Sequence, residues 1–292
     1  MTRASRSIPS QHGFALVLVL WLVALLTIVA ASFATHSKVE SRLTMNAIDA
    51  LRSRLLAESG VNRAIIELMV SNPEQRWDSD GQVHQLDTEH GGLTISIRNS
   101  AGLLDLNKAA RDQLVRLFAL ISDDVHEQEA LADRLGDWRD SDDLRRLNGA
   151  EDGDYRSAGY PHDTAGRDLA SIDELAYVMG FDGAEVGRLR PYVTLYSDTE
   201  IVDYRYAPEV LKSLLKGEQQ TPDVLSGVLD HLDSDLADLE LPESDGEASA
   251  SVYRVAVEAT TKEGARTRLL VDVDLRSKHD SPYSIRSWHD SL

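Results

Sequence analysis

The feature that most constrains this chain is an uncharged apolar run of 22 residues near its amino terminus, Phe14 to Thr35. As an α-helix this run is about 33 Å long at 1.5 Å per residue, enough to cross a bilayer core of roughly 30 Å. Arg3 and Arg6 precede the run and an acidic body follows it. By the positive-inside tendency, we expect one span, with a cytoplasmic amino terminus and the body across the membrane.

The helical pattern continues beyond this run. Apolar residues recur at spacings of three and four from Val39 to Met69, and Asn72-Pro73 stops the helix. The sequence therefore predicts one helix over residues 14–70, half in lipid and half outside. A plain anchor and a cleaved secretory signal are the alternatives, since small residues at Ala30–Ala34 suit a signal cut. The apolar run, however, exceeds the ~7–15 residues usual in such signals.

Composition excludes several classes of function. The 292 residues include 49 acidic and 30 basic side chains, a formal net charge of −19, and no cysteine. Such an acidic chain would be repelled by nucleic-acid phosphates, so we expect no nucleic-acid partner. Without cysteine there is no disulfide, thiol nucleophile, cysteine-ligated zinc or iron–sulfur cluster. Only two of the formal charges lie in residues 1–36, which places the acidity in the body.

The body predicts an α+β fold. A strand over Gly91–Arg98 and a closing hairpin, Ser251–Ala259 with Thr267–Leu275, alternate apolar and polar residues. We expect these strands to form a small antiparallel sheet on the outer half of the long helix. Between them, segments with helical spacing predict an inserted all-α subdomain: Leu104–Leu120, Glu127–Trp138, Ser171–Met179 and Ala184–Tyr192. A further helix is predicted at Pro208–Leu215, before a polar acidic loop at 233–248.

No pattern in the sequence assembles a catalytic site. The chain lacks a G-x-S-x-G elbow, a P-loop and a G-x-G-x-x-G loop. We expect a non-enzymatic protein. The alternative is a membrane-anchored or signal-cleaved periplasmic hydrolase or binding protein. Two segments, Leu104–Leu117 and Leu169–Leu189, faintly resemble DNA-binding helix-hairpin-helix units, but acids stand where such a hairpin needs glycine amides and no basic patch flanks them.

Seven carboxylates are concentrated within residues 137–154: Asp137, Asp140, Asp142, Asp143, Glu151, Asp152 and Asp154. Taken alone, this segment is either a solvated loop or a calcium site, because Ca²⁺ takes six to eight oxygen ligands and flexible acidic loops supply them. The EF-hand pattern is absent. A second acidic run, Asp230 to Asp235, is interpreted as a solvated turn.

Several motifs resemble one protein family. His12-Gly13-Phe14, followed by the apolar helix, resembles a type IV prepilin processing site, where prepilin peptidase cuts after the glycine and the new terminal Phe is N-methylated. Most such proteins carry Glu at the fifth mature position, and this chain has Leu18. That absence is characteristic of the K-type minor pseudopilin of type II secretion.

Blocks in the body resemble K-type pseudopilins in the same order: 137–143 (DWRDSDD), 148–152 (NGAED) with Tyr155, 169–175 (LASIDEL) and 190–194 (RPYVT). Leu104–Ala109 and Ala207–Leu211 are similar to that family as well. Where members have Asn-Thr before the Ala-Pro, this chain has Arg205-Tyr206. The resemblance extends from Gly13 to about Leu275.

The resemblance implies a pilin-like fold with a SAM-like helical insertion, and a non-enzymatic subunit capping the tip of a periplasmic pseudopilus. Its implied partners are the I- and J-type minor pseudopilins, other pseudopilus subunits, prepilin peptidase and the inner membrane. It also favours Ca²⁺ in the helical domain, held mainly by Asp140, Asp142, Asp143, Glu151 and Asp152, with Asp137 or Asp154 assisting.

The predicted organisation has six parts. They are a prepilin leader at 1–13, the transmembrane half of the long helix at 14–35, the outer helix half with the first strands at 36–102, the inserted helical domain at 103–192, the rest of the pilin-like domain at 193–276 and a C-terminal tail at 277–292.

Overall fold

The computed structural model describes residues 12–72, 75–216, 250–276 and 281–291. The helices within these ranges are α1 His12–Leu68, α2 Arg111–Phe118, α3 Val125–Arg139, α4 Asp152–Ser157, α5 Gly183–Leu189 and α6 Glu209–Lys216. The strands are β1 Asp80–Thr88, β2 Gly91–Asn99, β3 Leu104–Asp105, β4 Val193–Thr194, β5 Val252–Thr261, β6 Arg266–Asp274 and β7 Ser284–Ser291. The leader up to residue 11 and both acidic stretches at 230–235 and 233–248 lie outside the described residues.

Helix α1 runs unbroken for 57 residues, which confirms the predicted single long helix. Its first half exposes apolar side chains throughout, whereas one face of its second half is buried against a sheet. Gly60 lies on that face, and a Cβ added there would stand 2.7 Å from the Val257 side chain and 3.1 Å from that of Leu93. The glycine therefore lets helix and sheet approach closely.

The sheet contains five antiparallel strands in the order β1-β2-β5-β6-β7. Strands β2, β5 and β6 form its centre, and their alternate apolar side chains face α1; Ile95, Ile97, Val255, Val271 and Val273 are fully buried there. A long helix packed on a small antiparallel sheet confirms the predicted α+β class.

The two edge strands were not predicted. Strand β1 pairs with β2, and β7 pairs with β6. The sequence predicted a C-terminal tail over residues 277–292. This prediction was wrong for Ser284–Ser291, which form strand β7. This segment reads SIRSWHDS, and only Ile285 and Trp288 in it are large and apolar. An edge strand with one neighbour needs little apolar content, so its sequence pattern is weak.

A separate helical unit lies between β3 and β4, which pair in parallel. It has its own core, built around Leu117, Phe118, Leu135, Leu175 and Leu189. Two predicted helices in it were wrong in part. The first was expected from Leu104 but begins at Arg111, after strand β3. The second is a 3-10 helix, Ile172–Tyr177, rather than an α-helix.

The helical unit sits at the end of the sheet that lies away from the apolar half of α1. Along α1, Ser53 contacts Thr267, and seven residues later Gly60 faces Val257. The order of these contacts shows that α1 advances toward the strand ends at Asn99 and Val252. Those ends lead into the helical unit, so the unit is connected to the sheet at the end toward which α1 points.

Candidate functional site

The acidic segment joins the end of α3 to α4. Asp137 lies in the last turn of α3 and is fully buried, and Asp140 is the residue that ends this helix. Asp142 and Asp143 lie on an exposed loop. Glu151 is buried at the start of α4, whose first turn contains Asp152 and Asp154. The segment thus begins in the last turn of α3 and ends in α4, with a loop between them.

Arg146 holds two of these carboxylates together. Its Nη1 lies 2.6 Å from Asp137 Oδ1 and 2.5 Å from Asp140 Oδ2. Its backbone N–H also donates to Asp137, at 3.2 Å from Oδ2. Gly149 packs so close to this carboxylate that a Cβ there would lie 1.8 Å from Asp137 Oδ2. The loop therefore closes over Asp137, and its closure needs glycine at 149.

Two buried carboxylate oxygens of the segment have no hydrogen-bond partner among the described residues. They are Oδ1 of Asp140, whose other oxygen contacts Arg146, and Oε1 of Glu151. Only 9% of Glu151 is exposed. Burial, together with the negative charges of Asp137, Asp140, Asp143 and Asp142, raises the pKa of Glu151 to about 7. Glu151 therefore faces a concentration of negative charge that Arg146 neutralises in part.

The remaining predicted ligands have other partners. Asp152 Oδ1 accepts from the Thr164 backbone N–H at 3.0 Å and from its hydroxyl at 2.8 Å, and these bonds lower the pKa of Asp152. Asp154 caps α4 by accepting from the Glu151 N–H and pairs with Arg145. Across the described residues, no three Asp, Glu or His side chains are grouped as a ready-made metal site.

The donor set nevertheless fits a hard divalent cation. Asp137 and Asp140 share the Arg146 guanidinium, the negative charges of both act on Glu151, and oxygen is the ligand atom that Ca²⁺ takes. A buried oxygen without a hydrogen-bond partner lowers the stability of the fold, because it has lost its hydrogen bonds to water and has gained no other donor or cation in exchange. Asp137, Asp140 and Glu151 would hold the ion, and its positive charge would offset the negative charge that Arg146 neutralises only in part.

An aromatic cluster supports this segment. Tyr155 of α4 is fully buried, packs 5.7 Å from the Trp138 ring, and accepts a hydrogen bond from the Met179 N–H. His162 lies against Trp138, Tyr155 and Tyr160 with ring centroids 5.5–5.7 Å apart. Sequence reasoning missed this cluster. The aromatic residues that follow the acids at short intervals were the available sign of a folded rather than a solvated segment.

A second candidate surface lies on α1. Its outer half exposes an apolar stripe, with side chains 44–64% exposed: Val39, Leu43, Met45, Ile48, Leu51 and Leu55. Beside the stripe is a groove of about 580 Å³, lined by α1 and by the turns at Glu89-His90 and Lys262-Glu263. An exposed apolar stripe of this length on a helix is typical of a surface that another protein covers.

The predicted processing site lies in the first turn of α1, at Gly13 and Phe14. By length and composition, α1 is one helix able to cross a membrane within the described residues, and none of its apolar window is buried in the protein. Leu18, at the fifth position after Gly13, is 56% exposed. These observations suit membrane anchoring by the first half of α1.

Comparison with known proteins finds relatives of one kind. Residues 83–198 match the family described as Type II secretion system (T2SS), protein K. Type II secretion system protein K of Aeromonas hydrophila is 29% identical, over 66% of this chain and 66% of its own. That of Pseudomonas aeruginosa is 28% identical, over 63% and 62%. The match thus spans slightly under two thirds of the length of these relatives.

A solved structure has the same fold. A chain of the GspK-GspI-GspJ complex from the type 2 secretion system of enterotoxigenic Escherichia coli superposes with a TM-score of 0.53 at 18% identity. The superposition covers 87% of this chain and 99% of the other. Taken with the family match over residues 83–198 and the curated relatives, this chain is similar to protein K of type II secretion systems, and the solved structure shows the same fold.

Proposed function

We propose that this chain is a minor pseudopilin, anchored in the inner membrane by the first half of α1 and placed at the tip of a periplasmic pseudopilus. The observation that carries the proposal is α1 itself, a single helix of 57 residues with an exposed apolar first half and a second half seated on its own sheet. A helix of this kind anchors a subunit and aligns it with neighbouring helices. The role is structural, without catalysis.

The position of the helical unit supports a place at the tip. It lies at the sheet end that points away from the membrane half of α1. In a filament of parallel helices, a bulky unit at this end obstructs a subunit stacked above it, whereas one copy at the tip has nothing above it. The absence of a carboxylate at Leu18 agrees with this, since a carboxylate in lipid is costly without a partner.

We expect the I- and J-type minor pseudopilins to cover the exposed stripe of α1. The similar solved chain belongs to a complex with GspI and GspJ, which supports these partners. Prepilin peptidase would process the chain after Gly13, leaving Phe14 at the amino terminus. The positive leader would remain on the cytoplasmic side and the acidic body in the periplasm.

Cysteine cross-linking in the full system tests this placement, because the chain has no cysteine of its own. Leu51→Cys lies on the stripe and Val125→Cys lies on the helical unit, and both positions are 57% exposed. With single cysteines in the partner helices, we expect Leu51→Cys to form adducts with the I- or J-type subunits and Val125→Cys to form none. Incorporation at regular intervals along the filament contradicts a tip position.

We propose in addition that the acidic segment binds Ca²⁺. Titration of the detergent-solubilised full chain is expected to release or absorb heat and to raise the melting temperature; saturation at a hundredfold excess over the Kd corresponds to about 2.7 kcal/mol. Glu151→Gln should weaken binding. Asp168→Asn is the matched control, because that carboxylate is 60% exposed and its ion-pair partner is Lys108, at 3.5 Å, which is not part of the acidic segment. No heat and no melting shift in the wild type contradicts the proposal.

The calcium effect should depend on pH. Because the pKa of Glu151 is raised to about 7, its protonated form favours the metal-free fold. That contribution is fully present below the ordinary glutamate pKa of 4.5 and is lost as the pH rises through about 7. Calcium competes with this proton, so the rise in melting temperature should be larger near pH 8 than near pH 5.

A further inference from the structure

Arg146 joins two of the acids, the buried Asp137 and the half-buried Asp140, through a single nitrogen atom. Its Nη1 lies 2.6 Å from Asp137 Oδ1 and 2.5 Å from Asp140 Oδ2. Calcium lies 2.3–2.6 Å from its oxygen ligands. The distances from Nη1 to these two oxygens are therefore those of a bound calcium ion. One atom or the other fits between the carboxylates, but not both.

The burial of Asp137 and Arg146 indicates which of these two side chains is able to move. Asp137 is fully buried, while the Arg146 side chain is 42% exposed and reaches inward from the surface. An arginine at this depth regains water when it turns outward, whereas a buried carboxylate left alone is strongly destabilising. A replacement cation would have to arrive as the guanidinium leaves.

The loop around Arg146 permits this exchange. Leu144 and Leu147 of this loop are 78% and 91% exposed, so these two side chains do not hold the loop in place by packing against the core. The backbone N–H of Arg146 would still donate to Asp137 after the side chain turned away. Glu151 Oε1 is buried and has no hydrogen-bond partner among the described residues, and the charges of Asp137 and Asp140 act on its carboxyl group. A guanidinium shared by Asp137 and Asp140 leaves that oxygen unsatisfied.

We propose that Arg146 is a built-in counter-cation, which neutralises Asp137 and Asp140 in the metal-free protein and must be displaced when calcium binds. This inference rests on the proposed calcium site. It makes Arg146 a determinant of calcium affinity rather than a ligand. The arginine keeps the metal-free fold stable, and the same contacts lower the apparent affinity for the ion.

The test compares Arg146→Gln with the wild type as full-length, detergent-solubilised proteins, measuring calcium affinity by calorimetry and metal-free melting temperature. Loss of the competing charge-assisted hydrogen bonds should make calcium binding roughly ten- to hundredfold tighter, and the metal-free protein should melt at a lower temperature. Arg167→Gln is the matched control. It removes the same charge in the same unit, from a pair with Glu174 at 3.1 Å, and calcium affinity should stay near that of the wild type.

The outcomes separate this inference from the calcium proposal. If the wild type binds calcium and Arg146→Gln binds it equally or more weakly, Arg146 is no competitor and the inference is wrong, while the site stands. If neither protein binds calcium, both proposals are wrong. Should Arg146→Gln not fold, Arg146→Lys provides the comparison: its compact ammonium spans the two carboxylates less well, so calcium affinity should rise by a smaller factor. An unchanged affinity there also overturns the inference.

Discussion

Replacing Arg254 by methionine is expected to destabilise the protein by about 3–5 kcal/mol, because it leaves a buried carboxylate without its partner. Arg254 is 4% exposed and holds Asp272 through two bonds, Nε to Oδ1 at 2.8 Å and Nη2 to Oδ2 at 3.1 Å. Asp272 is itself 2% exposed, and Ser287 is its other hydrogen-bond donor. One serine hydroxyl cannot replace a bidentate guanidinium.

The same arginine fixes the helical unit on the sheet. Its Nη1 donates to the Arg190 carbonyl at 2.8 Å and to the Val193 carbonyl at 2.7 Å, where the chain leaves the helical unit and enters β4. Arg254→Met therefore loses the ion pair and both of these contacts. The loss should appear as a lower denaturation midpoint and as easier proteolysis between the two parts.

A surface arginine on the neighbouring strand provides the control. Arg268 pairs with Glu258 at 3.1 Å, and its side chain is 65% exposed. Exposed pairs of this kind contribute about 0–1 kcal/mol, so Arg268→Met should shift the urea midpoint only slightly. Equal effects of the two substitutions would contradict the role given to the buried pair.

Gly13→Leu is expected to abolish processing of the chain. The proposed peptidase site requires cleavage after this glycine, and a bulky side chain at the cut should leave the chain at full length. Gln11→Ala changes the same leader without altering the residue at the cut, and it should be processed normally. Intact mass after membrane extraction distinguishes the two forms. Normal cleavage of Gly13→Leu would contradict the assignment of the cut.

Strong local periodicity accounts for the parts of the fold that the sequence predicts. Helix α1 combines a 22-residue uncharged run with apolar spacings of three and four from Val39 to Met69, and β2 alternates cleanly because one of its faces is buried. Edge strand β1 has a mostly polar sequence and a register shift between Asp80 and Val83, so it carries little periodic pattern.

Long-range contacts explain the rest. Leu104 and Leu106 suggest a helix by their spacing, but they are buried on either side of Asp105. This aspartate accepts hydrogen bonds from the backbone of Ser197 and Asp198, more than 90 residues away, which holds the segment extended. The amino acids near Asp105 in the sequence do not predict a hydrogen-bond partner so far along the chain.

The acidic segment divides in the same way. Its residues were recognisable from composition and from a family resemblance, and the choice of ligands among them stays a prediction. The place of Arg146 between Asp137 and Asp140 depends on how the loop folds back over α3, as does the burial of Glu151. The number of charged residues predicts an excess of negative charge in this segment. Which of the acids lacks a partner depends on the fold.

The most direct measurement of the central claim is the intact mass of the wild-type protein extracted from the inner membrane. The account predicts a chain that starts at Phe14 and carries one additional methyl group at its amino terminus. A chain that starts near Thr35 would be a secreted protein, and an uncut chain that starts at Met1 would be a plain membrane anchor. Either of those results would contradict the assignment of this chain as a processed pseudopilin.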